Sequence, residues 1–150
     1  MPDATRVPDG AEDLGDPSAM TTPPTAIVVA AAVIERDDAF LMTRRLKGTH
    51  LAGTWEFPGG KCDADESLTD CLVRELREEL GAGATVGDEI FVVEHTYPER
   101  TVRLHFFTTR LLDEPRPLLG QQMRWVARAD LATLDLPDAD RGLVDLLTGR

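Results

Sequence analysis

Three glutamates, Glu75, Glu78 and Glu79, stand within the short stretch of residues 74–81. Side chains three and four positions apart share one side of a helix, so a helical stretch here would gather the three carboxylates. Neighbouring carboxylates repel one another, and a bound divalent cation relieves that repulsion. Ligand sets made only of oxygen favour Mg²⁺ or Mn²⁺, which bridge to substrate phosphates. The cluster therefore predicts a magnesium site, with manganese as a substitute, that cleaves a phosphoanhydride.

The helix that must position these glutamates is predicted over residues 67–80. At helical spacing four leucines form one apolar arc that faces the core, namely Leu68, Leu72, Leu76 and Leu80. Glu79 projects inside that arc, where an unpaired carboxylate costs several kcal/mol. Arg74 can compensate only one of the three charges, so a cation must compensate the others. Asp65 or Ser67 is expected to cap the helix, and Gly81 follows its end.

The remaining elements predict an α/β fold, a mixed sheet sandwiched between helices in a single domain. Strands are expected over residues 26–35, 39–45, 90–97, 101–112 and 123–127, and a closing helix over 138–147. The first strand is apolar throughout, as in a sheet that is covered on both faces. Between the second strand and the glutamate helix, Pro58, Gly59 and Gly60 predict a tight turn that offers backbone groups to a ligand.

The composition of the chain limits the classes of partner that we expect it to bind. The chain carries 16 Lys and Arg against 27 Asp and Glu, a net charge of −11, which disfavours binding to nucleic-acid polymers. A small nucleotide held through a cation remains compatible with that charge.

No apolar run reaches the roughly 20 residues that cross a bilayer, and no export signal is seen, so we expect a cytoplasmic protein without a membrane partner. Residues 1–24 are expected to be a disordered acidic tail ahead of the domain at 25–150.

The cysteines and histidines predict no further site. Cys62 and Cys71 lie nine positions apart without zinc-ligand spacing, and we expect both to be free thiols in a reducing compartment. His50, His95 and His105 are scattered along the chain, and none is expected to take part in catalysis.

The glutamate stretch resembles the signature of the Nudix hydrolases, G-x5-E-x7-R-E-U-x-E-E-x-G-U with U apolar. The nine constrained positions are filled by Gly60, Glu66, Arg74, Glu75, Leu76, Glu78, Glu79, Gly81 and Ala82. Residues 43–45, 55–61 and 136–140 look like the MutT branch, so the resemblance covers roughly residues 26–148. It implies a Nudix-type α/β/α sandwich, and water attack on a nucleoside triphosphate that releases nucleoside monophosphate and pyrophosphate.

Carried over by position, the resemblance also implies roles for single residues. Glu75, Glu78 and Glu79 would bind the metal together with the Gly59 carbonyl. Arg74 would orient a glutamate by ion pairing, and Glu66 would anchor the junction between loop and helix. Arg45 would contact phosphate or ribose. The base would be flanked by Phe57 and Arg100 and read by Asp140.

Two positions depart from the family pattern. Asp140 stands where members specific for 8-oxoguanine carry asparagine. An ionised aspartate only accepts hydrogen bonds, so it would read the amino or N–H edge of cytosine, adenine or a protonated purine. Asp140 is equally interpreted as a helix cap. Leu119 stands where the resemblance places an acidic metal ligand, which implies one metal fewer, or a replacement by Glu56 or Glu114.

Several functions therefore stay open at this point. The leading one is a MutT-like hydrolase of 8-oxo-dGTP or another non-standard nucleotide. A cytidine-nucleotide (CTP or dCTP) pyrophosphohydrolase and an ADP-ribose pyrophosphatase are the enzymatic alternatives. A non-catalytic nucleotide sensor is a fourth, although such proteins typically lose the helix glutamates that this chain keeps. Either a monomer or a homodimer is compatible with the sequence.

Overall fold

The computed structural model describes residues 26–149, so the predicted tail at 1–24 lies outside the described residues. Its strands are β1 (Ile27–Val33), β2 (Glu35–Arg36), β3 (Ala39–Arg44), β4 (Trp55–Glu56), β5 (Gly59–Lys61), β6 (Ala84–Tyr97), β7 (Arg100–Leu111) and β8 (Met123–Ala127). The helices are α1 (Leu68–Leu80) and α2 (Arg141–Thr148), and short 3-10 helices span Arg128–Thr133 and Asp138–Asp140. None of the described helices is long and apolar enough to span a membrane.

Two four-stranded sheets form the centre of the fold. The first has the order β5-β1-β7-β6, in which β1 runs parallel to β7 and the other neighbours are antiparallel. In the second sheet β3 pairs with β2, β4 and β8, always antiparallel. The predicted mixed sheet is confirmed.

Strand β1 is buried on both of its faces. Ala31 and Val33 point into a core that includes Leu143 of α2, whereas Ala30 points into a second core that includes Leu72 of α1. Successive side chains of a strand point to opposite faces, so an apolar run of this kind requires cover on both sides. The two cores make the molecule the predicted α/β/α sandwich.

Helix α1 begins and ends where its sequence signals predict. The Ser67 side chain caps its start by accepting a hydrogen bond from the Asp70 N–H at 3.1 Å. Gly81 ends it in the left-handed conformation, with φ of 64°. The leucines that face the core are fully buried at Leu72, Leu76 and Leu80. The helix is thereby fixed in rotation, which decides where its glutamates point.

The predicted turn at Pro58, Gly59 and Gly60 is only a bend, because the two glycines start strand β5. A Cβ atom on Gly59 would lie 2.1 Å from the Ala30 carbonyl oxygen. Glycine is therefore required here because the strands approach closely, and also because the φ of 156° at Gly59 is one that residues with a side chain rarely adopt.

Other boundaries also differ from the prediction. Strand β6 starts at Ala84 rather than at residue 90, and its ladder with β7 is irregular between Val86 and Phe91. The closing helix starts at Arg141, preceded by the 3-10 helix Asp138–Asp140.

The prediction of two free thiols is wrong, because Cys62 and Cys71 form a disulfide. Their Cα atoms lie 5.3 Å apart, within the usual range for such a bridge. The loop of residues 63–67 folds back and brings Cys62 against the first turns of α1. Spacing along the sequence gives no sign of this contact.

Candidate active site

Glu75 and Glu79 of α1 line a cavity of about 350 Å³, together with Gly59 and Gly60 of β5. Glu78 lies outside the cavity lining, and 57% of its side chain is exposed. The rotation of the helix explains why Glu78 is more exposed than Glu79. Glu79 lies on the side of the buried leucines, and Glu78 lies furthest from that side. The structure thus brings two predicted ligands to the cavity and the third to its outer side.

One carboxylate oxygen of Glu79, Oε1, is buried without a hydrogen-bond partner among the described residues. The pKa of the Glu79 carboxyl is raised to about 8, mainly by burial and also by the nearby Glu56 and Glu75 carboxylates. The Gly59 N–H and the Arg45 guanidinium act in the opposite direction. A buried oxygen of this kind carries a large desolvation penalty, which a bound cation would remove.

Glu75 packs directly on the backbone of β5. A Cβ atom added to Gly60 would lie 2.1 Å from Glu75 Oε1, so only glycine leaves room for the carboxylate. Burial raises the pKa of Glu75, and its hydrogen bond with Arg74 lowers it. Gly60 is therefore part of the cradle for this carboxylate.

Arg74 links the loop before α1 to the glutamates of the helix. Its guanidinium donates to Glu66 at 2.5 and 3.0 Å and to Glu75 at 2.9 Å, and it reaches Glu78 at 3.3 Å. It also donates to the Lys61 carbonyl at 3.2 Å. The hydrogen bond from Arg74, followed by that from the Asp63 N–H, lowers the pKa of Glu66 to about 2. Arg74 thus lies between the loop, β5 and two glutamates of the cluster.

The donor atoms fit a hard divalent cation. The cluster offers carboxylate oxygens, one of them buried and unpartnered, beside the backbone of Gly59, and this oxygen-only set suits Mg²⁺ or Mn²⁺. Leu119 lines a neighbouring cleft beside Glu79 but supplies no acid. Glu56 lines both the cavity and this cleft, whereas Glu114 pairs with Arg36 at 3.1 Å and lines neither. Of the two suggested replacements, only Glu56 stands near the cluster.

The cavity also offers a place for a planar ring. Phe57 is buried and meets Phe106 edge to face, with ring centroids 5.8 Å apart. Arg100 lines the same cavity from the start of β7. Arg45 also lines it and donates to Glu56 at 2.8 Å and to the His50 carbonyl. All the predicted substrate residues therefore share one cavity with Glu75 and Glu79.

Asp140 lies in this cavity as a buried carboxyl group, with 3% of the residue exposed. Asp140 occupies the N-cap position of α2, but its side chain makes no cap hydrogen bond, so the interpretation as a side-chain cap is wrong. The backbone already turns through the 3-10 helix before α2, which leaves the carboxyl directed elsewhere. The pKa of Asp140 is raised to about 7, mainly by burial and also by the Glu56 carboxylate, against the opposing effect of Arg45.

Sequence reasoning missed two cavity residues, His50 and Tyr97. Their rings meet edge to face with centroids 4.8 Å apart. Tyr97 is the last residue of β6 and is followed by a turn. Functional residues are common at such positions, so the sequence could have indicated Tyr97 as a candidate site residue. His50 stands in the loop between β3 and β4, where the sequence has no periodicity and gave no such signal.

The sandwich fold and a carboxylate cluster beside a glycine-containing strand suit a hydrolase of phosphoanhydrides. A family model described as NUDIX domain matches residues 29–146, and the chain belongs to the Nudix hydrolase family. It is a pyrophosphohydrolase that acts on phosphoanhydride bonds of a small nucleotide substrate. The predicted family and enzyme class are confirmed, and the non-catalytic sensor is set aside. Members of this family generally require a divalent metal.

Individual relatives agree with this assignment. The chain is 39% identical over 117 residues to the CTP pyrophosphohydrolase of Escherichia coli, covering 74% of this chain and 87% of the relative. It is 33% identical over 123 residues to the 8-oxo-dGTP diphosphatase of Haemophilus influenzae, covering 81% and 90%. The solution structure of the E. coli ORF135 protein matches with a TM-score of 0.71 and 35% identity, covering 83% of this chain and 89% of that one.

Proposed function

We propose that this enzyme is a Mg²⁺-dependent nucleoside triphosphate pyrophosphohydrolase that releases nucleoside monophosphate and pyrophosphate. The observation that carries the proposal is the buried, unpartnered Glu79 Oε1 in a cavity that also holds an aromatic floor and the Asp140 carboxyl. One cavity thus combines a place for a cation with a place for a base. Nucleotides of this kind are cytoplasmic metabolites, and we propose that location, with no membrane or nucleic-acid polymer as a partner.

In this proposal Glu75, Glu78 and Glu79 hold the cation with the Gly59 carbonyl. When bound, Mg²⁺ supplies Lewis-acid polarisation of the phosphate oxygens and compensates the clustered negative charge. Arg74 keeps Glu75 in place through the 2.9 Å hydrogen bond, and Glu66 in turn fixes Arg74. A cavity carboxylate that the cation does not fully occupy accepts the proton of the attacking water. Glu56, which lines the cavity and the cleft beside Leu119, takes the place of the acidic cation ligand that Leu119 does not supply.

The base that best fits the cavity presents an amino or N–H donor to Asp140. A carboxyl group accepts hydrogen bonds in both protonation states, and a carboxyl with a pKa of about 7 also donates when it is protonated. Cytosine offers its amino group to such a partner, and we propose CTP or dCTP as the leading substrate. The 39% identity to a CTP pyrophosphohydrolase supports this choice.

A second candidate is 8-oxo-dGTP. Its oxidised ring gains an N–H donor beside a carbonyl acceptor, and a protonated Asp140 can accept from the first and donate to the second. The 33% identity to an 8-oxo-dGTP diphosphatase supports this candidate, as does a 39% identity to a Mycobacterium tuberculosis protein named for the same activity, so sequence identity alone does not rank the two candidates.

A substrate panel tests the proposal. CTP, dCTP, 8-oxo-dGTP, dGTP and ADP-ribose are incubated with the enzyme and Mg²⁺, and products are separated by ion-exchange chromatography. We expect monophosphate and pyrophosphate, with CTP or dCTP giving the highest kcat/KM. Release of orthophosphate and nucleoside diphosphate, or cleavage of ADP-ribose alone, would contradict the proposal. Substitution Asp140→Asn should reorder the bases while leaving the type of product unchanged.

A further inference from the structure

The disulfide between Cys62 and Cys71 joins the two elements that supply the proposed cation ligands. Cys62 directly follows β5, the strand that carries Gly59, and Cys71 lies in α1 ahead of Glu75. The Cys62 N–H donates to the Val28 carbonyl at 2.8 Å, which ties this end of the bridge to the sheet. The bridge is therefore a covalent link between the sheet and the glutamate helix.

The bridge also touches the cradle of the cluster. The sulfur atoms of Cys71 and Cys62 lie 3.8 and 4.0 Å from the Gly60 carbonyl oxygen. Gly60 is the residue against which the Glu75 carboxylate packs without room for a Cβ. Cys71 and Glu75 are four positions apart, so they occupy the same side of α1. A change at the bridge therefore reaches Glu75 both along the helix and through Gly60.

The other links between the loop and the helix are non-covalent. Arg74 donates to the Lys61 carbonyl at 3.2 Å, and its guanidinium pairs with Glu66 of the loop. These contacts keep the segment folded when the bridge is open. Without the covalent link the loop gains conformational freedom, and cation binding must then order it.

We propose that Cys62 and Cys71 are a reversible thiol–disulfide pair that sets the affinity of the glutamate cluster for its divalent cation, with the disulfide form binding more tightly. The inference rests on the cation site proposed above. A disulfide in a protein that works among cytoplasmic nucleotides meets reducing agents, and such bridges are usually redox-sensing or catalytic. This bridge makes the enzyme more active under oxidising conditions.

The chemistry is thiol–disulfide exchange with a dithiol. One thiolate of the reductant attacks Cys62 Sγ, because Cys62 is half-buried whereas Cys71 is fully buried. The Cys71 thiolate leaves and takes up a proton, and the second thiol of the reductant then displaces Cys62. The products are two protein thiols and the disulfide of the reductant. Oxidation by a peroxide restores the bridge. One hydrogen peroxide is reduced to two waters, whereas one organic hydroperoxide is reduced to one water and its alcohol.

Mn²⁺ binding to the full-length protein, without nucleotide, tests the inference. Free Mn²⁺ is measured by electron paramagnetic resonance for the oxidised protein and for protein reduced with dithiothreitol and desalted under nitrogen, with thiol counts on both. We expect the Kd to rise about threefold to tenfold on reduction, as expected for loss of preorganisation. The double variant Cys62→Ser/Cys71→Ser should show the weaker affinity under both conditions. If the double variant does not fold, the single variant Cys62→Ser, at the less buried sulfur, is used instead.

Glu79→Gln separates this inference from the function on which it rests. We expect that variant to lose Mn²⁺ binding in both redox states. Equal Kd values for oxidised and reduced wild-type protein, with binding lost in Glu79→Gln, would overturn the redox inference and leave the cation site standing. Unchanged binding in Glu79→Gln would overturn the cation site instead. Two thiols that stay free after peroxide treatment would also overturn the redox inference.

Discussion

At the scale of single residues, two carboxyl groups stand in positions that are unfavourable for the folded protein alone. Glu79 has a buried oxygen without a partner among the described residues, and Asp140 is buried in the same cavity. Burial raises the pKa of both, to about 8 and about 7. Such groups are concentrated at functional sites, because a ligand supplies the interactions that the protein leaves out.

Asp140 makes stability depend on pH. Its pKa is about 7 in the folded protein against 3.8 for an unperturbed aspartate, so the folded state binds more protons and stability falls as pH rises between about 4 and 7. Asp140→Asn should therefore be more stable than wild type at pH 8, by up to about 4 kcal/mol, and nearly equal to it at pH 4. Urea unfolding at both pH values measures the difference. The exposed neighbour Asp138→Asn is the matched control, and a pH-independent difference for Asp140→Asn would contradict the assignment.

Some residue-scale features follow from sequence and others do not. Helical spacing alone puts Glu79 among the leucines, and the structure buries it there. The sequence left Asp140 as either a cap or a base reader, because both roles suit an aspartate near a helix start. Only the tertiary placement of the 3-10 helix separates them. His50 was missed because it enters the cavity from an irregular loop.

At the scale of elements, helix α1 positions the site, and its first turn depends on the Ser67 cap. Ser67→Ala removes the acceptor for the Asp70 N–H and should lower the free energy of unfolding by about 1 kcal/mol. Ser67→Asp keeps an acceptor at that position and should stay near wild type. Chemical denaturation monitored by circular dichroism gives both values. An alanine variant as stable as wild type would show that the cap hydrogen bond does not stabilise α1.

Elements with strong local signals were predicted well, and those made by long-range pairing were not. The caps and leucines of α1 and the alternation of β7 are local patterns. Strand β5 has only three residues, two of them glycine, and exists because β1 pairs with it. The Cys62–Cys71 bridge likewise depends on how the loop folds back onto α1. Neither feature leaves a periodic trace in the sequence.

At the scale of the whole molecule, a chain with a net charge of −11 gathers several carboxylates at one cavity. A cation that binds only the folded state must stabilise it. Mg²⁺ at about 100 times its Kd should raise the Tm by about 5–10 °C. NaCl at the same ionic strength is the control for general screening and should give a much smaller shift. Equal shifts with both salts would mean that no specific site is filled.

The architecture was predictable because β1 is apolar throughout and therefore needs cover on both faces. The core clusters on either side of it fulfil that expectation. The substrate was not predictable to the same degree, since the residues that contact the base come from separate segments that meet only in the folded cavity.

The most direct test of the account is the turnover of Glu79→Gln with Mg²⁺ and CTP. Glutamine keeps the size of the side chain and removes the charge, so the fold should persist, and the loss of a buried charge should leave the metal-free protein at least as stable at pH 8. We predict a fall in kcat/KM of at least about a hundredfold. Glu114→Gln, which changes an exposed glutamate paired with Arg36, should stay within about twofold of wild type. Turnover of Glu79→Gln equal to that of Glu114→Gln would contradict the central claim that the α1 carboxylates hold the catalytic cation.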